Sequence, residues 1–479
     1  MKMFHHGCRG PVATLVGVHG LSTTHPRWSK NVPCIHPDTS NSTLVGQYRR
    51  RILCYAAPPS PAEYVEHCNA EYAVPRLIEF GFVSDSPSFH GNSSSNDQLP
   101  VVRLRHPEGS CVTVCLHGAT VTSWKRPGGT EMLSLDGSNR YDGEMAITGG
   151  ITVAWPQLGS GPLPSANGVL QHVHWSVAET SYYDSDGDPC PSVTLYADHD
   201  DVSQSPMTEE FSHPFQAVLS ISLGLDEKDE AKRHAAAQTK LDALRERREA
   251  EGEAEAAKKK SKKKKADGSS SGSSDEDADE EDVYECGPTF VVTYELSIMN
   301  TSENDELKFT SGAMARFATE PLEECAETIK VSGLVGKYVL DYSKDPMMPA
   351  LDIENDHFIK IDPSRKNTMN RLYVDCPKDG EVLFCPGTQH HMDVRNQTGF
   401  SDILLSHTPG ANAMSITAAR KARPVRLQPQ EVWKGEVKFK AFDRYWDISP
   451  FEMEQDPEGL PVPPKSEAFP PRQAGDDAS

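Results

Sequence analysis

The stretch Leu116-His117-Gly118-Ala119-Thr120-Val121-Thr122-Ser123-Trp124-Lys125, preceded by the alternating Val112 and Val114, decides how this chain folds. Two runs rich in β-branched residues meet at a glycine, and glycine tolerates the positive φ that a sharp reversal needs. The pattern predicts a bent β-hairpin. Gly149-Gly150-Ile151-Thr152-Val153-Ala154-Trp155-Pro156-Gln157-Leu158-Gly159 comes next, then Leu170-Gln171-His172 and Trp175. The paired glycines predict a close backbone approach, and Pro156 predicts the end of a strand. Turn clusters at 107–109, 128–129 and 184–188 separate further short β-rich runs. Such punctuation predicts an antiparallel sandwich and not alternating βαβ units.

The chain of 479 residues carries a net charge of −22, which excludes a general nucleic-acid or anionic-membrane binder, because phosphate contacts need a basic surface. No run of about eighteen apolar residues occurs, so no membrane-spanning helix is expected. The 11 cysteines include no Cys-x-x-Cys pair and predict reduced thiols in a chain long enough to build a core without disulfides.

Residues 1–56 are basic and acid-poor and predict a transit peptide, with the chloroplast as destination and the mitochondrion or cytosol as alternatives. Residues 57–97 contain a short helical piece around Ala62 to Tyr72 but few apolar side chains, and are expected to be a linker. The β domain is expected over 98–445. Within it, Gln216 to Leu223 places Ala217, Leu219, Ile221 and Leu223 on one face by the two-residue period, and its expected partner is Thr289 to Met299. Between these strands, residues 226–285 form a charged insertion expected to be helical or disordered at a hairpin tip, a position a sandwich tolerates at small entropic cost. The Lys258 to Lys265 cluster within it is offset by the acidic run Asp275 to Asp282, so no nucleic-acid partner is expected. The Pro- and acid-rich residues 446–479 are expected to lack structure.

Taken in order, the hairpin, the GGI-x-x-x-x-PQ-x-G loop and the Gln171-His172 dipeptide resemble the glucose-6-phosphate 1-epimerase or apospory-associated protein C family, within the galactose mutarotase-like superfamily. Val331-Ser332-Gly333-Leu334-Val335-Gly336-Lys337-Tyr338 with Asp341, and the closing run Pro424 to Gly435, extend the resemblance from about Gln98 to Phe442. It implies an all-β fold, a large antiparallel sandwich of the galactose mutarotase (supersandwich) type. It also implies a hexose 6-phosphate or other carbohydrate as ligand, with no cofactor and no metal.

Interconverting the anomers of an aldose requires a general base for the C1 hydroxyl proton and a general acid for the ring oxygen. The resemblance places the base at Thr417 and the acid at Met314, yet neither side chain can do that work near neutral pH. Of the arginines that the family places about the phosphate, one position holds Thr148 and the turn after His172 is shortened; Arg140 or Arg316 would have to substitute. His172 is therefore the catalytic candidate, and Gln171, His172, Trp155 and Asp341 are the candidate substrate-binding residues. His172 can equally be a hydrogen-bonded core histidine, Trp155 a packing residue and Asp341 a turn residue. His390 and His391 would point to opposite faces of a strand, which disfavours a metal site there. The second reading is a non-catalytic carbohydrate- or protein-binding module, similar to the epimerase-like subunit of the thylakoid NADH dehydrogenase-like complex.

Overall fold

The computed structural model describes residues 60–83, 99–203, 211–226, 288–321, 328–345, 348–360, 368–387, 390–408 and 411–443. Expectations for the transit peptide, the body of the insertion and the C-terminal tail fall outside these residues. In chain order, helix α1 (Pro61–Glu71) leads into strands β1 (Ile78–Phe82), β2 (Pro100–Arg105), β3 (Cys111–Cys115), β4 (Thr120–Lys125) and β5 (Gly150–Ala154). A 3-10 turn, Leu170–His172, precedes β6 (Ser176–Tyr183), β7 (Pro189–Asp198), helix α2 (His199–Ser203), β8 (Phe215–Leu225), β9 (Phe290–Asn300) and β10 (Leu307–Ala318). Then follow β11 (Lys330–Ser332), β12 (Tyr338–Asp341), β13 (Leu351–Ile353), β14 (Ile359–Lys360), β15 (Met369–Val374) and β16 (Val382–Cys385). The last four are β17 (His390–Thr398), β18 (Asp402–His407), β19 (Ala413–Leu427) and β20 (Val432–Asp443).

These strands build two antiparallel sheets. The 11-stranded sheet has the order β1-β2-β3-β4-β5-β10-β19-β18-β15-β12-β13, and the 9-stranded sheet the order β14-β11-β16-β17-β20-β9-β8-β7-β6. One apolar cluster joins them, with Val121, Ile151, Ala315 and Ile416 from the larger sheet meeting Leu219, Tyr294, Val394 and Phe439 from the smaller. The all-β sandwich read from the sequence is the fold observed.

Its register comes from glycine and from alternation. Gly150 has φ +70°, and a Cβ there would lie 2.1 Å from the Val121 carbonyl oxygen, so only glycine lets β5 come this close to β4. In β8, Ala217, Leu219, Ile221 and Leu223 are fully buried as the period of two predicts. β8 and β9 pair from Phe215↔Asn300 through Leu225↔Phe290, so the charged insertion leaves from a hairpin whose strands are completely matched.

The linker expected over 57–97 is not what residues 60–83 form. Ser60 caps α1 in a reciprocal capping box with Glu63. Tyr64, Val65 and Cys68 of that helix, with Ile78 and Phe80 of β1, join the main apolar cluster. β1 pairs with β2 from Ile78↔Leu104 to Phe82↔Pro100. The segment has too few apolar residues for a core of its own, but enough to cover the flank of a larger one. Farther along, β15 enters the 11-stranded sheet and β16 the 9-stranded one.

Candidate ligand-binding face

Side chains alternate along each strand, so the 11-stranded sheet buries one face against its partner and leaves the other to be furnished separately. Ile151, Ala315, Ile416 and Leu405 point into the core. Ala154, Leu158, Leu372 and Ala419, with the half-buried Met314, Leu340, Leu404 and Tyr342, form a distinct cluster on the outer face. The pairing register orders this face into ranks running across the strands.

The middle rank runs Thr152, Met314, Thr417, Leu404, Leu372, Leu340 across β5, β10, β19, β18, β15 and β12. It contains no ionisable side chain. Two residues along in one direction, the rank reads Gly150, Arg316, Ser415, Ser406, Asn370. These polar side chains are half-buried. Arg316 reaches Asp136 at 3.7 Å. In the other direction lie Ala154, Gly312 and Ala419. Leu158 lies over this small-residue rank, since a Cβ on Gly312 would come 3.1 Å from its Cδ2 and 2.9 Å from Thr417 Cγ2. Hydrogen bonds hold it there: Leu158 N donates to Thr310 Oγ1 at 2.9 Å, and Thr310 N donates to the Pro156 carbonyl at 2.9 Å.

Gln171 and His172 lie in the 3-10 turn and are buried. His172 Nε2 shares a 2.6 Å hydrogen bond with Ser165 Oγ, and Gln171 Nε2 donates to the Ala166 carbonyl at 2.6 Å. The two thus brace the loop that carries Ser165, and among the described residues neither is hydrogen-bonded to Met314 or Thr417. Burial, and secondly the neighbouring His117, press His172 down to about 4, so it stands neutral near pH 7 with Nδ1 buried and without a hydrogen-bond partner among the described residues.

The structure corrects two assigned substrate-binding residues. Trp155 is fully buried, its ring 4.3 Å from that of Phe215 and 5.8 Å from that of Phe309, so it packs the core and offers no platform to a sugar. Asp341 is the Cα partner of Arg371, one residue out of step with Leu340, so it points to the opposite side of the sheet from Met314 and Thr417. There it pairs with Arg371 Nε at 3.3 Å and accepts the Ser343 amide at 3.1 Å. Burial alone would raise its pKa, but the Ser343 hydrogen bonds and the Arg371 and Lys344 charges hold the carboxyl below its ordinary range. The turn-residue reading describes it.

Arg140, a possible substitute cation, is exposed and 3.8 Å from Asp142 in the loop before β5, whereas Arg316 does lie on the outer face. Sequence reasoning missed Leu158, Asn370, Ser406 and Ser415. Ser415 could have been found two residues before Thr417 on the same strand; Asn370 and Ser406 depend on a register that the sequence does not display. Among the described residues, no group of three or more His, Cys, Asp and Glu side chains could hold a metal ion.

This architecture is an all-β sandwich of two large antiparallel sheets with a furnished outer face. The chain matches the profile of the aldose 1-epimerase family over residues 100–240. It is 30% identical over 129 residues to a Cenchrus ciliaris protein named "Putative glucose-6-phosphate 1-epimerase", a match covering 26% of this chain and 37% of that protein. A protein of the same name from Escherichia coli (strain K12) is 29% identical over 132 residues, covering 27% of this chain and 41% of that protein. The matches therefore span well under half the length of either relative. Among solved structures, the Slr1438 protein from Synechocystis sp. PCC 6803 is similar at TM-score 0.50 and 13% identity, over 74% of this chain and 100% of that one. The galactose 1-epimerase from Lactobacillus acidophilus NCFM is similar at TM-score 0.46 and 14% identity, over 77% of this chain and 99% of that one.

Proposed function

We propose that the protein is a carbohydrate-binding member of the family, with hexose 6-phosphates as its ligand class, that does not turn its ligand over. One observation carries this reading: Met314 and Thr417 stand side by side in a rank of the outer face that holds no ionisable group. A thioether has no proton to give, and a threonine hydroxyl does not take one near neutral pH. Loss of one acid–base partner costs about a hundredfold to ten-thousandfold in rate, and loss of both removes most of the acceleration. The polar rank of Arg316, Ser415, Ser406 and Asn370 remains to hydrogen-bond sugar hydroxyls. Calorimetric titration with glucose 6-phosphate, alongside measured anomer exchange, tests both halves. Saturable binding without exchange supports the reading, and absence of binding removes it.

A second reading, a protein-binding subunit of the thylakoid NADH dehydrogenase-like complex in chloroplasts, is favoured by the edge strand β13. Leu351 and Ile353 there are 62% and 46% exposed, and Ile353 pairs across from Tyr338, itself 53% exposed. Apolar side chains on an open sheet edge invite another chain. Native electrophoresis of thylakoid membranes tests this: co-migration with the complex, lost on Ile353→Lys, supports it, and migration as a free protein opposes it.

A further inference from the structure

Lys421 is the residue on which the outer face ends. Ser415, Thr417, Ala419 and Lys421 follow one another at the two-residue period along β19, which directs all four to that face. Thr417 and Ala419 are buried, and Lys421 is half-buried. Its Nζ stands 4.9 Å from the centre of the Tyr342 ring. On the other side the loop after β5 comes so close that a Cβ on Gly159 would lie 3.1 Å from Nζ. Gly159 is fixed in turn by Asn167, whose Oδ1 accepts its amide at 2.8 Å.

A half-buried ammonium in a chain of net charge −22 would be expected to find a carboxylate. Among the described residues Lys421 has none, and burial alone, with no acidic neighbour opposing it, lowers its pKa. Asp402 is the nearby candidate, but its carboxylate is engaged elsewhere. Its Oδ2 accepts the backbone amides of Lys421 at 2.9 Å and Ala422 at 2.8 Å, and Oδ1 accepts the Ser401 hydroxyl at 3.2 Å. Asp402 therefore shapes the strand beneath Lys421 and leaves the ammonium between the Tyr342 ring and Gly159. The aromatic ring supplies only the weak attraction of a cation–π contact. A compact ammonium with rotatable donors suits a phosphate or carboxylate group.

We infer that Lys421, flanked by Tyr342 and Gly159, is the anchoring cation for the anionic group of a ligand lying along the outer face. This deepens the carbohydrate-binding reading and rests on it for the rest of the ligand. The anion would sit at the Lys421 end, beyond Leu158, and the uncharged part of the ligand would extend toward Ser415 and Arg316. The site requires no arginine near residue 148 or after His172.

The test uses the full-length protein and the variants Lys421→Met, which keeps the apolar stem, and Lys421→Arg, which keeps the charge. Titration with glucose 6-phosphate should show at least about tenfold weaker binding for Lys421→Met than for the native chain. Glucose affinity should be unchanged, and Lys421→Arg should retain most of the phosphate preference. In parallel, the native protein should broaden the 31P resonance of inorganic phosphate, and Lys421→Met should abolish this. Equal loss of glucose and glucose 6-phosphate affinity would assign Lys421 a merely structural role and overturn the inference. So would phosphate broadening that survives Lys421→Met or is absent from the native protein. If neither sugar binds while the broadening still depends on Lys421, the anion site stands and the carbohydrate reading falls.

Discussion

Met314 and Thr417 are Cα partners across the β10–β19 pair and project from the same face of the sheet. Side chains so paired stand about 5 Å apart at Cβ, close enough for both to address one bound ring. Placing an imidazole and a carboxylate at these positions supplies a proton donor and acceptor where the face now has none. The double variant Met314→His, Thr417→Glu should therefore exchange glucose 6-phosphate anomers at least about tenfold faster than the native chain, as followed by exchange NMR. If it does not, adding Leu158→Ala shows whether the leucine that covers the neighbouring rank blocks the approach.

His172 gives a dependence of stability on pH. Its folded pKa is pressed down to about 4 from the ordinary 6.5, so the unfolded chain binds the extra proton between those values. The sign follows: its contribution is complete above pH 6.5 and is lost as pH falls toward 4. Urea unfolding at pH 7 and pH 5 should show a loss that is smaller by roughly 1–2 kcal/mol in His172→Gln than in the native protein. An unchanged pH dependence would mean that His172 is not held neutral by its surroundings.

Trp155 separates packing from binding. Trp155→Ala should destabilise the protein by about 3–5 kcal/mol through the cavity it leaves, as measured by urea unfolding. Trp155→Phe should retain ligand affinity within about twofold, because the ring lies in the core. A selective loss of affinity in a stable Trp155→Phe protein would return the residue to the site.

The legible part of this molecule is the part written in local patterns. The period of two in Ala217 to Leu223 and the glycine pair before Ile151 are local signals, and the fold follows them. The Met314–Thr417 opposition was reachable too, because each position was counted from a different nearby motif. The facing of Asp341 was not. A one-residue step moves a side chain to the other side of a sheet, and the Asp341↔Arg371 register is set by pairing between distant strands. Trp155 failed for a related reason: its aromatic neighbours Phe215 and Phe309 lie on other strands far along the chain.

Residues 60–83 show the same limit, since a helix with few apolar residues becomes structural only when a larger core is present to receive it. Tyr64 Oη accepts the Val177 amide at 3.0 Å, and Asn69 exchanges two hydrogen bonds with the Phe80 backbone. Removing the chain through Ala73 should lower the melting temperature by at least about 5 °C, because several buried side chains and these bonds are lost together. A calorimetric scan that finds no shift would restore the linker reading.

The central claim is that the outer face holds a sugar without converting it, and two-dimensional exchange NMR of glucose 6-phosphate at equilibrium tests it most directly. With the native full-length protein at a concentration where calorimetry shows the sugar bound, exchange between the α and β anomeric protons should proceed no faster than about twice the buffer rate, since neither residue of the facing pair transfers a proton. Fast exchange that His172→Ala abolishes would contradict the account and place His172 in a working active site.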